Sequence, residues 1–172
     1  MKTFGHFLII TFLTVLPSVS AFGQKSGADD PVIKLFNKYE DKEGVESISI
    51  SPALLGLMKE GRTGDKKTQE LVSRISGFRV LTISDGVDGK GRKNREALNS
   101  ELQTLVKTDF VEYMMVKNAN ERVELYVRNT SEKGALLFIT SNANSTTLMH
   151  LAGLIDSKLI DAVMNGEIGI SK

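Results

Sequence analysis

Cysteine is absent from all 172 residues. That excludes disulfides, zinc-thiolate sites and thiol nucleophiles. It also excludes a lipoprotein, which needs a Cys just after its cleavage site to carry the lipid. Histidine is nearly absent, with two copies, His6 and His150. A Ser-His-Asp triad would depend on one of them, no G-x-S-x-G accompanies either, and H-E-x-x-H is missing. An excess of one charge is lacking as well, with 22 basic side chains against 21 acidic. A global attraction to nucleic acid or to an anionic membrane is therefore not expected. Long apolar runs are missing too. The longest, Phe7 to Leu16, is too short to span a bilayer.

That run sits where a secretory signal peptide would place it. Lys2 supplies a positive start, Pro17 and Ser18 break the run, and small residues follow in SVSAFG. Residues 1–23 are read as a signal peptide cleaved after Ala21 or after Gly23, which directs the chain to the periplasm or beyond the cell. Its loss removes His6 and Lys2, leaving one histidine and 21 basic against 21 acidic side chains. Residues 24–29 read as a flexible lead-in. Residues 30–172 are long enough for one domain held by its own core.

Within that domain helical and period-two stretches alternate as far as the longest helix. Asp30-Pro31 and Ser51-Pro52 each offer a cap followed by Pro at the first helical position. Helices are expected to about Tyr39, with Val32, Phe36 and Tyr39 on one face, and over Leu54, Leu55, Leu57 and Met58. VESISIS between them alternates and reads as a strand. Lys59 to Asp65 reads as a loop, with Asp65 capping a helix that points Leu71, Val72 and Ile75 inward and stops at Gly77. Phe78 to Ser84 is a second strand. Arg92 to Lys107 is the longest helix, with Leu98, Leu102, Leu105 and Val106 at helical spacing. From there the period is two. DFVEYMMVK, RVELYVRN, ALLFITSN and TTLMHLAG are strands joined by short turn-prone links, which implies an antiparallel meander. A last helix capped by Asp156 carries Leu159, Ile160, Val163 and Met164 inward. The fold class is α+β: a mostly antiparallel sheet with helices packed on one face.

The stretch VIKLFNKYEDKEGVESISISPALLGLM, then a strand and long helix, hairpins and a capped terminal helix, resembles the domain-of-unknown-function 4252 family, small exported proteins of Bacteroidetes. The resemblance spans about residues 30 to 166 and rests on F-x-K-Y, V-x-S-I-x-I-S and L-x-x-L-M. It implies an envelope location and supplies no activity or site residues. Members often carry a lipid-bearing Cys. This chain has none, so no stable membrane anchor is expected after signal cleavage.

Two surfaces are candidates for function. Lys90, Arg92, Lys93 and Arg95 crowd the N-terminal end of the long helix, where the helix dipole already disfavours positive charge. A bound anion would resolve the conflict; so would water and the neighbouring Asp85 and Asp88. Arg62, Lys66 and Lys67 form a second basic loop that could join it. The other candidate is the C-terminal sheet. Strict alternation sets Arg122, Glu124, Tyr126 and Arg128 opposite Val123, Leu125 and Val127, and places Tyr113 and Lys117 on one face of the preceding strand. With helices on the Val123 side, the Tyr126 face would be open and rich in residues that anchor interfaces. ALLFITS and TTLMHLA, with Phe138 and Met149, are apolar on both faces. They are either central and covered twice, or an exposed apolar patch. His150 reads as one imidazole on a sheet face, and the carboxylate pairs Asp41/Glu43 and Asp156/Asp161 as turn and cap residues. The chain is accordingly expected to be a non-enzymatic envelope module that binds another protein or itself through the C-terminal sheet, needing no cofactor or metal. A small-anion binder at the basic helix end is the alternative.

Overall fold

The computed structural model describes residues 30–60, 66–128 and 134–165. Its elements run α1 (Pro31–Tyr39), β1 (Val45–Ile50), α2 (Pro52–Glu60), α3 (Lys66–Arg74), β2 (Ile75–Ser84), α4 (Lys90–Asp109), β3 (Val111–Lys117), β4 (Glu121–Arg128), β5 (Gly134–Asn142), β6 (Ser145–Gly153) and α5 (Ser157–Met164). The fold is α+β. The strands form one six-stranded sheet in the order β1-β2-β6-β5-β4-β3, antiparallel at every pairing. The expected meander is its β3 to β6 half.

Local chemistry starts the helices as the caps predict. The Val32 N–H donates to Asp30 Oδ1 at 2.8 Å, the Leu54 N–H to Ser51 Oγ at 3.2 Å, and the Leu159 N–H to Asp156 Oδ1 at 3.1 Å. Two Asn-Ala-Asn links make the same turn. Asn118 Oδ1 accepts from the N–H groups of Asn120 and Glu121, and Asn142 Oδ1 from those of Asn144 and Ser145. Gly91 is fixed by contact: a Cβ there would lie 1.9 Å from the Ser84 carbonyl oxygen. No other residue lets the start of α4 approach the end of β2 so closely.

Helices cover both faces of the sheet, which corrects the expectation of one covered face. On the first face, Val32, Leu35, Phe36 and Tyr39 of α1 and Leu98, Leu102 and Val106 of α4 pack on Leu81, Ile83, Tyr126, Leu137, Ile139 and Leu148. On the second, Leu55 of α2, Leu71 of α3 and Leu159, Ile160 and Val163 of α5 pack on Val80, Leu125, Leu136, Met149 and Leu151. The reason lies in β5 and β6. Both are apolar at successive positions, so the central strands need cover on each side. The two open alternatives are thereby resolved: these strands are central and buried, Met149 fully and Phe138 partly.

Two local expectations shift. Ile75 and Gly77 belong to β2, because pairing with Gly153 and Ala152 of β6 extends that strand three residues upstream of Phe78. Met164 is exposed at the end of α5. Arg62 and Asp65 fall outside the described residues.

Candidate functional site

On the covered first face, Arg122, Glu124, Tyr126 and Arg128 form a tie between β4 and its surroundings, not an open surface. Tyr126 and Glu124 are buried. The Tyr126 hydroxyl donates to Glu124 Oε1 at 2.6 Å, and Arg122 Nη2 donates to the same oxygen at 2.7 Å. Burial, then the Glu124 carboxylate, pushes the Tyr126 phenol up to about 12. Arg128 pairs with Asp30, the cap of α1, and lies 5.0 Å over the Phe110 ring. Tyr126 and Met149 are thus removed from any accessible surface, and Arg128 is committed to its ion pair. The periodicity did find this face; it missed that α1 and α4 would close it.

His150 lies on the same face, between Arg79 of β2 and Leu137 of β5 in the ladders. It is 2% exposed, and its ring centroid is 6.2 Å from that of Phe36. Its Nε2 has no hydrogen-bond partner among the described residues. Burial drives its pKa down to about 4, helped by Arg128 and Arg79 and opposed by Asp30. Such a group is a neutral core imidazole, screened from any substrate.

The basic end of α4 is largely neutralised from within. Lys90 Nζ sits 3.0 Å from Asp88 Oδ2 and 3.3 Å from Glu43 Oε1, and both hold the ammonium pKa up. Arg92 pairs with Glu96 at 3.3 Å. Buried Arg95 donates to both oxygens of Asp85, at 2.6 and 3.1 Å, and to the Ala143 carbonyl at 3.0 Å. This bidentate contact holds the Asp85 carboxyl below its ordinary range and clamps α4 to the β5–β6 turn. The N–H groups that an anion would use are engaged: Lys90 donates to Asp88 Oδ1 at 3.2 Å and Gly91 to the Asp85 carbonyl at 3.1 Å. Lys93 is exposed. Two aspartates, Asp88 through its carboxylate and Asp85 through its backbone carbonyl, therefore meet the donors that an anion was expected to meet.

A shallow groove of about 450 Å³ runs between α1 and α4 over Pro31, Leu35 and Leu105. Its Glu101 is occupied, accepting from Lys38 Nζ at 2.6 Å and the Tyr39 hydroxyl at 2.8 Å. Among the described residues no group of three or more acidic or histidine side chains could hold a metal, and no helix is long and apolar enough to cross a membrane.

What stays open is the far edge of the meander. Among the described residues only β4 pairs with β3, and the other edge of that strand has no partner strand there. Its side chains Val111, Tyr113, Met115 and Val116 are 72, 59, 40 and 52% exposed. The register with β4 shifts between Glu112 and Met114, so Tyr113 is a bulged residue left out of the ladder. The row beside Val116 on the second face, Val123, Thr140, Thr147 and Thr82, belongs to neither core and is half-buried. Of the surface residues named from sequence, Tyr113 lies in this region and Phe138 adjoins it.

A family model described as a domain of unknown function (DUF4252) matches residues 39–163. No curated protein and no solved structure matches the chain.

Proposed function

The chain belongs to the DUF4252 family, and from that footing we propose that it is an exported, non-enzymatic module that binds another protein, or itself, through its C-terminal sheet. One observation carries this: β3 exposes four large apolar side chains on a strand whose outer backbone edge is unpaired among the described residues. Sheet edges of this kind recruit strands, because main-chain hydrogen bonds supply affinity and alternate side chains supply selectivity. The remaining chemistry is consistent with a binding role. The imidazole is buried, the acids at the α4 end are paired, and Asp156 serves as a cap and as the partner of Arg74. Export rests on the signal-peptide pattern of residues 1–23.

The test is capture from envelope extracts with the full chain as bait, in parallel with a Val116→Lys variant that places a charge on the exposed strand. The expected result is a protein recovered above background and lost with Val116→Lys, while Val87→Lys in the exposed loop before α4 retains it. Nothing above background, together with a monomer in solution, would overturn the proposal.

A further inference from the structure

We propose that the occupant of the β3 edge is a second copy of this chain. The two β3 strands would pair antiparallel about a two-fold axis at Met115 and join the sheets of both copies into one. This rests on the interaction role argued above and names its partner.

Two features of β3 set it apart from an ordinary edge. The first is where the apolar surface falls. Of the ten large hydrophobic residues exposed among the described residues, four lie in this seven-residue strand. The opposite edge strand, β1, contributes only Ile48. If the sheet is extended at one edge, β3 is the edge that gains from burial.

The second is charge. In an antiparallel pair related by a two-fold axis, the strand must be its own complement, and opposed residues must share a face. Glu112 and Lys117 are five apart, so strict alternation would place them on opposite faces. The bulge at Tyr113 changes this. Glu112, Met115 and Lys117 stand opposite Tyr126, Glu124 and Arg122 of β4, and so lie on one face. With Met115 on the axis and Tyr113 outside both ladders, Glu112 of each copy meets Lys117 of the other. On the second face Met114 meets Val116. The charge on Lys117 also needs a counterpart, since its ladder neighbour is Arg122, a like charge directly opposite. A carboxylate from the second copy supplies one. Strand β1 offers no equivalent: Glu46 is its only charge, and self-pairing opposes it to another Glu46, Ile48 or Ile50. A bulge and a lysine usually guard an edge against pairing; on β3 the same two features make it self-complementary.

The missing cysteines make a direct test possible. A single Cys at the axis, Met115→Cys, can form a disulfide only with itself, and directly opposed residues have Cα atoms about 4.5 to 5.5 Å apart. Under mild oxidation the full-length Met115→Cys chain is expected to form a covalent dimer at least about tenfold faster than Val87→Cys. Light scattering over a concentration series is expected to show a monomer–dimer equilibrium for the unmodified chain. Glu112→Lys and Lys117→Glu should each weaken it by about tenfold, and the double reversal should restore it. All three changes are at exposed positions, and the rescue guards against a folding artefact. Crosslinking no faster than in Val87→Cys, or reversals with equal effect singly and together, would overturn the self-pairing. If the chain stays monomeric while a different protein is captured and lost with Val116→Lys, the interaction role stands and the self-pairing falls. If capture fails as well, both fall.

Discussion

As the pH falls, stability should respond to His150 before it responds to the paired carboxylates Asp85, Asp88, Glu70 and Glu101. The imidazole is 2% exposed, Nε2 has no partner among the described residues, and burial holds the pKa down to about 4, against an ordinary value of ~6.5. The charged groups that influence it are Asp30 at the cap of α1, Arg128 on β4 and Arg79 on β2. The folded value is depressed, so the unfolded chain binds the proton more readily. Stability is therefore complete above pH ~6.5, falls as the pH drops through that value, and stops falling from this source below about 4. The full span corresponds to roughly 3 kcal/mol, and roughly 2 kcal/mol of it is gone by pH 5. Asp85, Asp88, Glu70 and Glu101 are all held below their ordinary carboxylate values, so their contributions are lost only at lower pH. The window from pH 8 to 5 thus isolates the histidine. Urea unfolding should show a midpoint that falls across this window at constant slope in the wild type. His150→Leu, which fills the space without a titrating group, should be flat. A wild type that loses less than ~0.5 kcal/mol between pH 8 and 5, or a His150→Leu chain that loses as much as the wild type, would refute burial as the governing cause.

Further substitutions read the packing elsewhere. Gly91→Ala would drive a methyl to 1.9 Å from the Ser84 carbonyl and should lower the melting temperature sharply. Gly56→Ala, inside α2 with nothing within 4 Å of the added carbon, should raise stability by up to ~1 kcal/mol; thermal melts of the pair check the sign of each. Tyr126→Phe removes one of the two side-chain donors to buried Glu124, leaving Arg122, and should cost ~1 to 3 kcal/mol in denaturant unfolding. A neutral result would mean that water reaches this carboxylate.

Much of the fold was legible in the sequence because its signals are local. Asp30, Ser51 and Asp156 cap the helices where their side chains predict, and period-two runs became β3 to β6. The failures share a cause: each needed a partner distant in the chain. Gly77 looks like a helix stop until β6 pairs with it. The Tyr126 row looks solvated because Arg, Glu, Tyr and Arg are polar. Arg122 and Tyr126 in fact turn to Glu124, and Arg128 to Asp30 nearly a hundred residues away. At the basic end of α4 the two readings left open in the sequence, an anion or Asp85 and Asp88, meet the observed pairs of Lys90 with Asp88 and Arg95 with Asp85, and folding adds Glu43.

The β3 edge shows the same limit more sharply. Alternation correctly made VEYMMVK a strand, and it then set Tyr113 with Lys117 on one face and Glu112 on the other. One inserted residue reverses that assignment for everything before it. Nothing in the composition of the strand marks Tyr113 as the insertion. The β4 ladder does so, by pairing Glu112 with Tyr126 and Met114 with Leu125. The bulge is therefore what decides whether β3 can complement itself. Were Tyr113 in the ladder, Glu112 and Lys117 would lie on opposite faces, and two copies would oppose charges to apolar side chains. With Tyr113 outside it, opposite charges meet twice around a pair of methionines. Deleting Tyr113 should then leave Glu112, Met115 and Lys117 on one face without a bulge and keep the Met115→Cys crosslink, while the meander, held mainly by buried β5 and β6, remains folded. A folded deletion variant that no longer crosslinks through Met115→Cys would refute the register drawn here.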